Sequence, residues 1–144
     1  MITVNSADAM YKLGVQLSAQ LKRGDLILIN GPLGAGKTLL AQGIGSGLGI
    51  TDVTSPTFVI SRVHKAPLPM IHVDAYRLLD SENPSLYLDD LDLDIENSVT
   101  IVEWGGPESA RLSDDRLEIF IDRSHEIRSV EITCIGPRWA GFSL

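Results

Sequence analysis

The eight residues Gly31-Pro32-Leu33-Gly34-Ala35-Gly36-Lys37-Thr38 constrain this chain more than any other stretch. They follow the apolar run Leu26-Ile27-Leu28-Ile29 and Asn30, and they precede Leu39-Leu40-Ala41-Gln42. The run shows no polar alternation, as expected of a parallel strand covered on both faces. A G-x-x-x-x-G-K-[ST] spacing between a strand and a helix is that of a loop that cradles phosphate. Glycines at 31, 34 and 36 let the main chain wrap an anion without Cβ clashes. The loop N–H groups then point inward, and the following helix adds its positive end to the same spot. Candidate nucleotide-binding residues are therefore Gly31, Leu33, Gly34, Ala35, Gly36, Lys37, Thr38 and Leu39. Lys37 is expected to reach the β- and γ-phosphates, with the ligand rather than the fold as its partner. The Thr38 hydroxyl is expected to ligate Mg²⁺, a hard ion that prefers oxygen. Pro32 has no N–H to offer, so it fits only where the loop needs no donor.

A Mg²⁺-nucleotide needs a further acidic anchor, usually at the end of an apolar strand. Asp74 ends Met70-Ile71-His72-Val73-Asp74, and Glu103 lies near the end of Thr100-Ile101-Val102-Glu103-Trp104. Both fall where open α/β sheets bind ligands. One is expected to serve the metal, directly or through water, and the other to orient the attacking water. Lys37, Asp74 and Glu103 are thus the candidate catalytic residues, and Thr38, Asp74 and Glu103 the candidate metal ligands. Arg62, Arg77, Arg123 and Arg128 are candidates for contacts with phosphate or adenine, or else are surface ion pairs. His72, in an apolar strand, suits a structural hydrogen bond better than catalysis. The segment Thr54-Ser55-Pro56-Thr57-Phe58 offers hydroxyls that could sense a γ-phosphate, or is a turn centred on Pro56. No Asn/Thr-Lys-x-Asp guanine signature is present, which favours ATP.

The rest of the chain fits around this unit. Asn5 or Ser6 can cap a first helix bearing Met10, Leu13, Leu17 and Leu21 at helical spacing. Lys22 and Arg23 suit its C-terminal end, and Gly24 can close it. The helix after the loop begins near Gly36 or Lys37 and carries Gly43, Gly45, Gly47 and Gly49 at every second position. Each mid-helix glycine costs roughly 0.5–1 kcal/mol relative to alanine. That helix is expected to be short, frayed after about Ile44, or packed very closely against a neighbour. These glycines are not a dinucleotide fingerprint, because they lack its spacing and follow no strand. Thr57–His64, Met70–Asp74 and Thr100–Trp104 read as strands. Arg116–Asp122 and Arg128–Ile135 read as a closing hairpin, with Trp139 and Phe142 tucked against the body. The expectation is one domain over residues 1–144. It would have an α/β, P-loop NTPase-like fold, with a mainly parallel central sheet flanked by helices and antiparallel strands at the edge.

Bulk properties narrow the partners. A net charge of −7 with no basic stripe disfavours direct nucleic-acid binding. The acidic run Asp89, Asp90, Asp92, Asp94 and Glu96 is either a solvated face or a docking surface for a basic protein. No run approaches the roughly 18 apolar residues of a membrane span. The start lacks a signal-peptide pattern, and the single cysteine, Cys134, suits a reducing compartment. A cytoplasmic protein is expected, with no membrane partner.

Together, Gly-Pro-Leu-Gly-Ala-Gly-Lys-Thr, Thr-Ser-Pro-Thr-Phe, His-Val-Asp-Ala-Tyr-Arg-Leu and Val-Glu-Trp, in that order across residues 31–104, resemble the TsaE family (also called YjeE). These are small bacterial ATPases of tRNA threonylcarbamoyladenosine synthesis. The resemblance implies ATP and Mg²⁺ at Lys37 and Thr38, with Asp74 and Glu103 serving metal and hydrolysis and Trp104 beside the nucleotide. It makes residues 54–58 a switch-like loop. It implies action with TsaB and TsaD, the latter transferring threonylcarbamoyl, so that tRNA is met only through the complex. Pro32 stands where family members usually carry an acid, and Gly105-Gly106 follow Val-Glu-Trp where Pro-Glu is usual. A small-molecule P-loop kinase is the alternative, though no insertion is long enough for its mobile arginine-bearing lid.

Overall fold

Leu26–Asn30 forms β2, at the middle of a sheet and buried on both faces. The structure, a computed structural model, describes residues 2–32, 34–51, 53, 61–75, 94–104, 107–110, 112–123 and 127–144. Around β2 lie β1 (Ile2–Val4), α1 (Ala7–Ser18), α2 (Lys37–Gly47), β3 (Ser61–His64), β4 (Met70–Asp74), β5 (Val99–Glu103), α3 (Pro107–Ala110), β6 (Arg116–Asp122) and β7 (Arg128–Ile135). Among the described residues, seven strands form one sheet in the order β1-β7-β6-β2-β5-β4-β3. The central four, β6, β2, β5 and β4, run parallel. Antiparallel β7 and β1 extend one side and antiparallel β3 the other.

The lack of alternation in β2 has a direct cause. Ile27 and Ile29 point into the larger core with Met10, Leu13 and Leu17 of α1 and Leu40, Ala41 and Ile44 of α2. Leu26 and Leu28 point the other way, joining Ile71, Val73 and Val102 beneath Ala110 and Leu112. Each face of the strand is therefore removed from water. Among the described residues no helix is long and apolar enough to cross a membrane.

The second helix does not fray at Ile44 but continues to Gly47. Of the alternatives open in the sequence, close packing is the one realised. A Cβ on Gly43 would lie 2.1 Å from the Tyr11 carbonyl oxygen, and one on Gly14 would lie 2.4 Å from the Leu40 oxygen. The two helices thus meet backbone to backbone, and the propensity cost of glycine is offset by an approach no other residue permits.

The first helix departs from expectation at its end. Ser6 caps it, accepting from Ala9 N at 3.0 Å, but it stops at Ser18 rather than running through Leu21 to a Gly24 cap. Gln20 N and Leu21 N bond to the Leu17 and Ser18 carbonyls, a tightened i→i−3 ending. The Asp25 carboxylate then captures the Lys22 N–H at 2.7 Å and is itself held by Arg138. Arg23 donates to the Asn97 and Pro67 carbonyls, not to the helix end. Strand β3 occupies Ser61–His64 of the expected Thr57–His64, and residues 54–60 lie outside the described residues. Strand β5 begins at Val99 and ends at Glu103, because Trp104 adopts a left-handed φ of 64°. Strand β1 was not legible, its three residues being too few to show a period. Trp139 is buried and meets the Phe142 ring edge-on at 5.4 Å.

Gly43→Ala should lower unfolding free energy by about 1–3 kcal/mol through overpacking, despite a helix-propensity gain of up to ~1 kcal/mol. Urea denaturation reads the difference. A variant as stable as wild type would show that the helices do not rely on this contact.

Candidate functional site

Strand register decides which residues can meet. Ile29 lies opposite Glu103, and Glu103 opposite Asp74. Asn30, Glu103 and Asp74 therefore end three neighbouring parallel strands along one edge. Side chains on paired residues share a face, so Glu103 and Asp74 project to the side occupied by α2.

The loop leaving β2 turns back to start α2 at that same edge. Gly31 has φ 153°, and a Cβ there would lie 2.6 Å from the Ile121 carbonyl oxygen. Gly36, at φ 113°, is the helix N-cap and supplies no side-chain cap. The N–H groups of Lys37, Thr38 and Leu39, in the first turn, have no partner within the helix. They present a positive end to the loop's interior. Leu39 is half-buried and packs its side chain against the core, so its contribution to a ligand would be its backbone amide. Arg128 Nη2 donates to the Gly34 carbonyl at 3.1 Å. Arg123 Nη1 lies 2.6 Å from where a Gly34 Cβ would stand. The ends of β6 and β7 thus bring two arginines to the loop.

Lys37 is folded inward and buried. Its ammonium donates to the Gly31 carbonyl at 2.8 Å and the Pro32 carbonyl at 2.9 Å. It also sits 3.9 Å from the centre of the Trp104 ring. The expectation that the lysine has only a ligand for a partner is corrected here: the loop and the indole already hold it. Pro32, which lacks a donor, serves as an acceptor twice, from Lys37 and from Ala35 N at 3.1 Å. Burial pushes the Lys37 pKa down, opposed by the charges of Glu103 and then Asp74.

Glu103 links the helix to the sheet. Its Oε1 accepts from Thr38 Oγ1 at 3.0 Å, and its Oε2 is in close contact with His72 Nε2. A hydroxyl that donates to a carboxylate retains its own lone pairs, so Thr38 can still offer oxygen to a cation.

The sequence-derived set is therefore largely brought together: Lys37 meets Trp104 and Thr38 meets Glu103, Glu103 and Asp74 are near enough to act on Lys37, and Arg128 touches the loop. Leu33, Ser55, Thr57, Arg77, Asp89, Asp90 and Asp92 lie outside the described residues, as does the side chain of Arg62. The link from His72 to Glu103 was not foreseen. Period-two reading puts His72 on the face of Asp74, but the partner comes from another strand.

A mainly parallel sheet, a glycine loop closing onto a helix, and acids at adjoining strand ends together define a P-loop NTPase-like α/β protein. The family model described as "Threonylcarbamoyl adenosine biosynthesis protein TsaE" matches residues 4–130. The "tRNA threonylcarbamoyladenosine biosynthesis protein TsaE" of Streptomyces coelicolor is 46% identical over 142 residues, covering 91% of this chain and 94% of that one. The Bacillus subtilis protein of the same name is 38% identical over 125 residues, 85% of this chain and 77% of its own. The crystal structure of Bacillus subtilis YdiB superposes with a TM-score of 0.76 at 28% identity, covering 96% of this chain and 87% of that one. This chain belongs to the TsaE family.

The depressed Lys37 pKa has a consequence for stability. Below its folded-state pKa, lysine is protonated in both states and burial costs the full penalty. Between that value and the unfolded 10.5, the unfolded chain binds more protons, so stability rises with pH. Wild type should therefore gain on Lys37→Met as pH climbs through the alkaline range toward 10.5, measured by urea denaturation at several pH values. A gap that moves the other way would mean that the carboxylates outweigh burial.

Proposed function

We propose that this chain binds Mg²⁺-ATP in the Gly31–Thr38 loop and hydrolyses it. It would act as the ATPase subunit for threonylcarbamoyladenosine modification of tRNA alongside TsaB and TsaD, without performing the transfer itself. The observation that carries the reading is the meeting of Lys37, Thr38 and Glu103, with Asp74 beside them, at the carboxyl edge of β2, β5 and β4. The names borne by the relatives support the pathway. The residue motifs that resemble the family support the partners, and the single cysteine, Cys134, suits the proposed cytoplasmic location.

The residues suit the implied ion. Thr38 keeps lone pairs free, and two carboxylates lie at the same edge. Among the described residues no three His, Cys, Asp or Glu side chains gather as a metal site. Mg²⁺ needs no such cage, since it keeps waters and takes other ligands from phosphate oxygens. Thr38, Asp74 and Glu103 would hold it, directly or through water, and when bound it neutralises charge building on the phosphates.

The chain's own groups divide the remaining work. Loop amides and the α2 N-terminus grip phosphate oxygens. Lys37 exchanges the Gly31 and Pro32 carbonyls for β- and γ-phosphate oxygens, a swap of neutral acceptors for charged ones that strengthens each bond. Glu103, already oriented from two sides, places the attacking water. Trp104 lies over the lysine and so borders the nucleotide. The net charge of −7 suits a subunit whose tRNA is held by others. Isolated turnover is slow in this account, because water is poorly positioned until a partner closes the site.

Glu103→Ala should retain ATP but lose hydrolysis by on the order of 10²-fold or more. Wild-type phosphate release should increase when TsaB and TsaD are both added. Unchanged release by the variant would remove Glu103 from the mechanism. Indifference to the two proteins would remove the proposed partners, and a phosphorylated acceptor in place of free phosphate would favour a kinase.

A further inference from the structure

We propose that His72 is a positioning residue for Glu103, holding the carboxylate that places the attacking water. The inference rests on the role given to Glu103 above and adds a residue to that site. His72 is fully buried on β4, two residues before Asp74. Register sets it opposite Ile101, two residues before Glu103 on β5. Imidazole and carboxylate therefore face the same side of the sheet from adjacent strands, and Nε2 meets Oε2.

The other carboxylate oxygen accepts from Thr38 on α2. Two donors from different elements thus pin both oxygens of one carboxylate. They fix the terminal torsion of Glu103, which is otherwise broad. The donors are unequal in permanence. Thr38 belongs to the phosphate loop's helix, and its hydroxyl is also the group offered to the cation. His72 is locked in a strand with apolar neighbours, and it can keep the carboxylate aligned whatever the loop does. A neutral ring that donates from Nε2 carries its one proton there and leaves Nδ1 bare. Among the described residues Nδ1 is buried with no hydrogen-bond partner, and the carboxylate is the one polar anchor of the ring. A histidine serving only to fill space would be replaceable by an apolar side chain of similar size, without loss of function.

Two measurements test this. Long-range ¹⁵N–¹H correlation of the imidazoles should show His72 protonated on Nε2 and bare on Nδ1, with the Nε2 proton moving when Glu103→Gln is introduced. The opposite tautomer, or no response to that substitution, overturns the proposal, and neither readout depends on ATP turnover. In steady-state ATP hydrolysis, His72→Asn, whose amide is too short to reach, should lower kcat on the order of 10-fold or more. Its calorimetric ATP affinity should stay near wild type, while its unfolding midpoint falls because a buried carboxylate oxygen loses its donor, so kcat is compared at a temperature where both proteins are folded. His72→Gln, whose amide nitrogen can take the place of Nε2, should restore most of the loss. Wild-type kcat in His72→Asn, or equal losses in the Asn and Gln variants, would contradict positioning. Wild-type protein without ATPase activity would instead count against the proposed function, while the tautomer still decides the Glu103 bond.

Discussion

The parallel ladder joining β2 to β5 and β5 to β4 sets Ile29, Glu103 and Asp74 in one row. Because side chains alternate along a strand, a slip of one residue would turn Glu103 and His72 to the opposite face, away from Thr38 and Lys37. The buried aliphatic residues of β2, β4 and β5 resist such a slip, since it would exchange the contents of two dissimilar cores. One of those cores lies under α1 and α2 and the other under Ala110 and Leu112. Hydrophobic sorting between the two faces thus becomes positional accuracy at the site.

The glycine-rich second helix serves the same end. Gly14 and Gly43 let α1 and α2 approach through their backbones, which seats α2 with its first turn at the sheet edge. The helix accepts an intrinsic propensity cost for that placement. Lys37 shows a comparable trade: its charge is taken out of water and answered by two carbonyls, an indole face and the nearby carboxylates. A lysine held in this way is already pointed into the loop, so the proposed phosphate binding would reorganise little beyond its hydrogen-bond partners.

Much of this was legible in the sequence. Strands β2, β4, β6 and β7 could be read because apolar runs and alternation are set by burial, which their residues state directly. The loop could be read because its glycines and Lys37-Thr38 carry their chemistry at fixed spacing. What escaped depended on distant partners. The end of α1 was set by Asp25 and Arg138, residues 113 apart in sequence. The fate of the α2 glycines turned on Gly14 and Tyr11 in another helix. Lys37 was assigned wholly to a ligand because nothing in the sequence shows a proline carbonyl turned toward it. The pairing of His72 with Glu103 required knowing that β4 and β5 are neighbours, which periodicity alone does not supply.

The proposed function requires a triphosphate to be gripped by main-chain amides and one ammonium group. Calorimetric titration of the purified chain with ATP and Mg²⁺, set beside the same titration of Lys37→Ala, addresses this directly. Saturable heat for wild type and its loss in the variant are predicted. Absence of heat from wild type, or undiminished affinity in Lys37→Ala, would contradict the account.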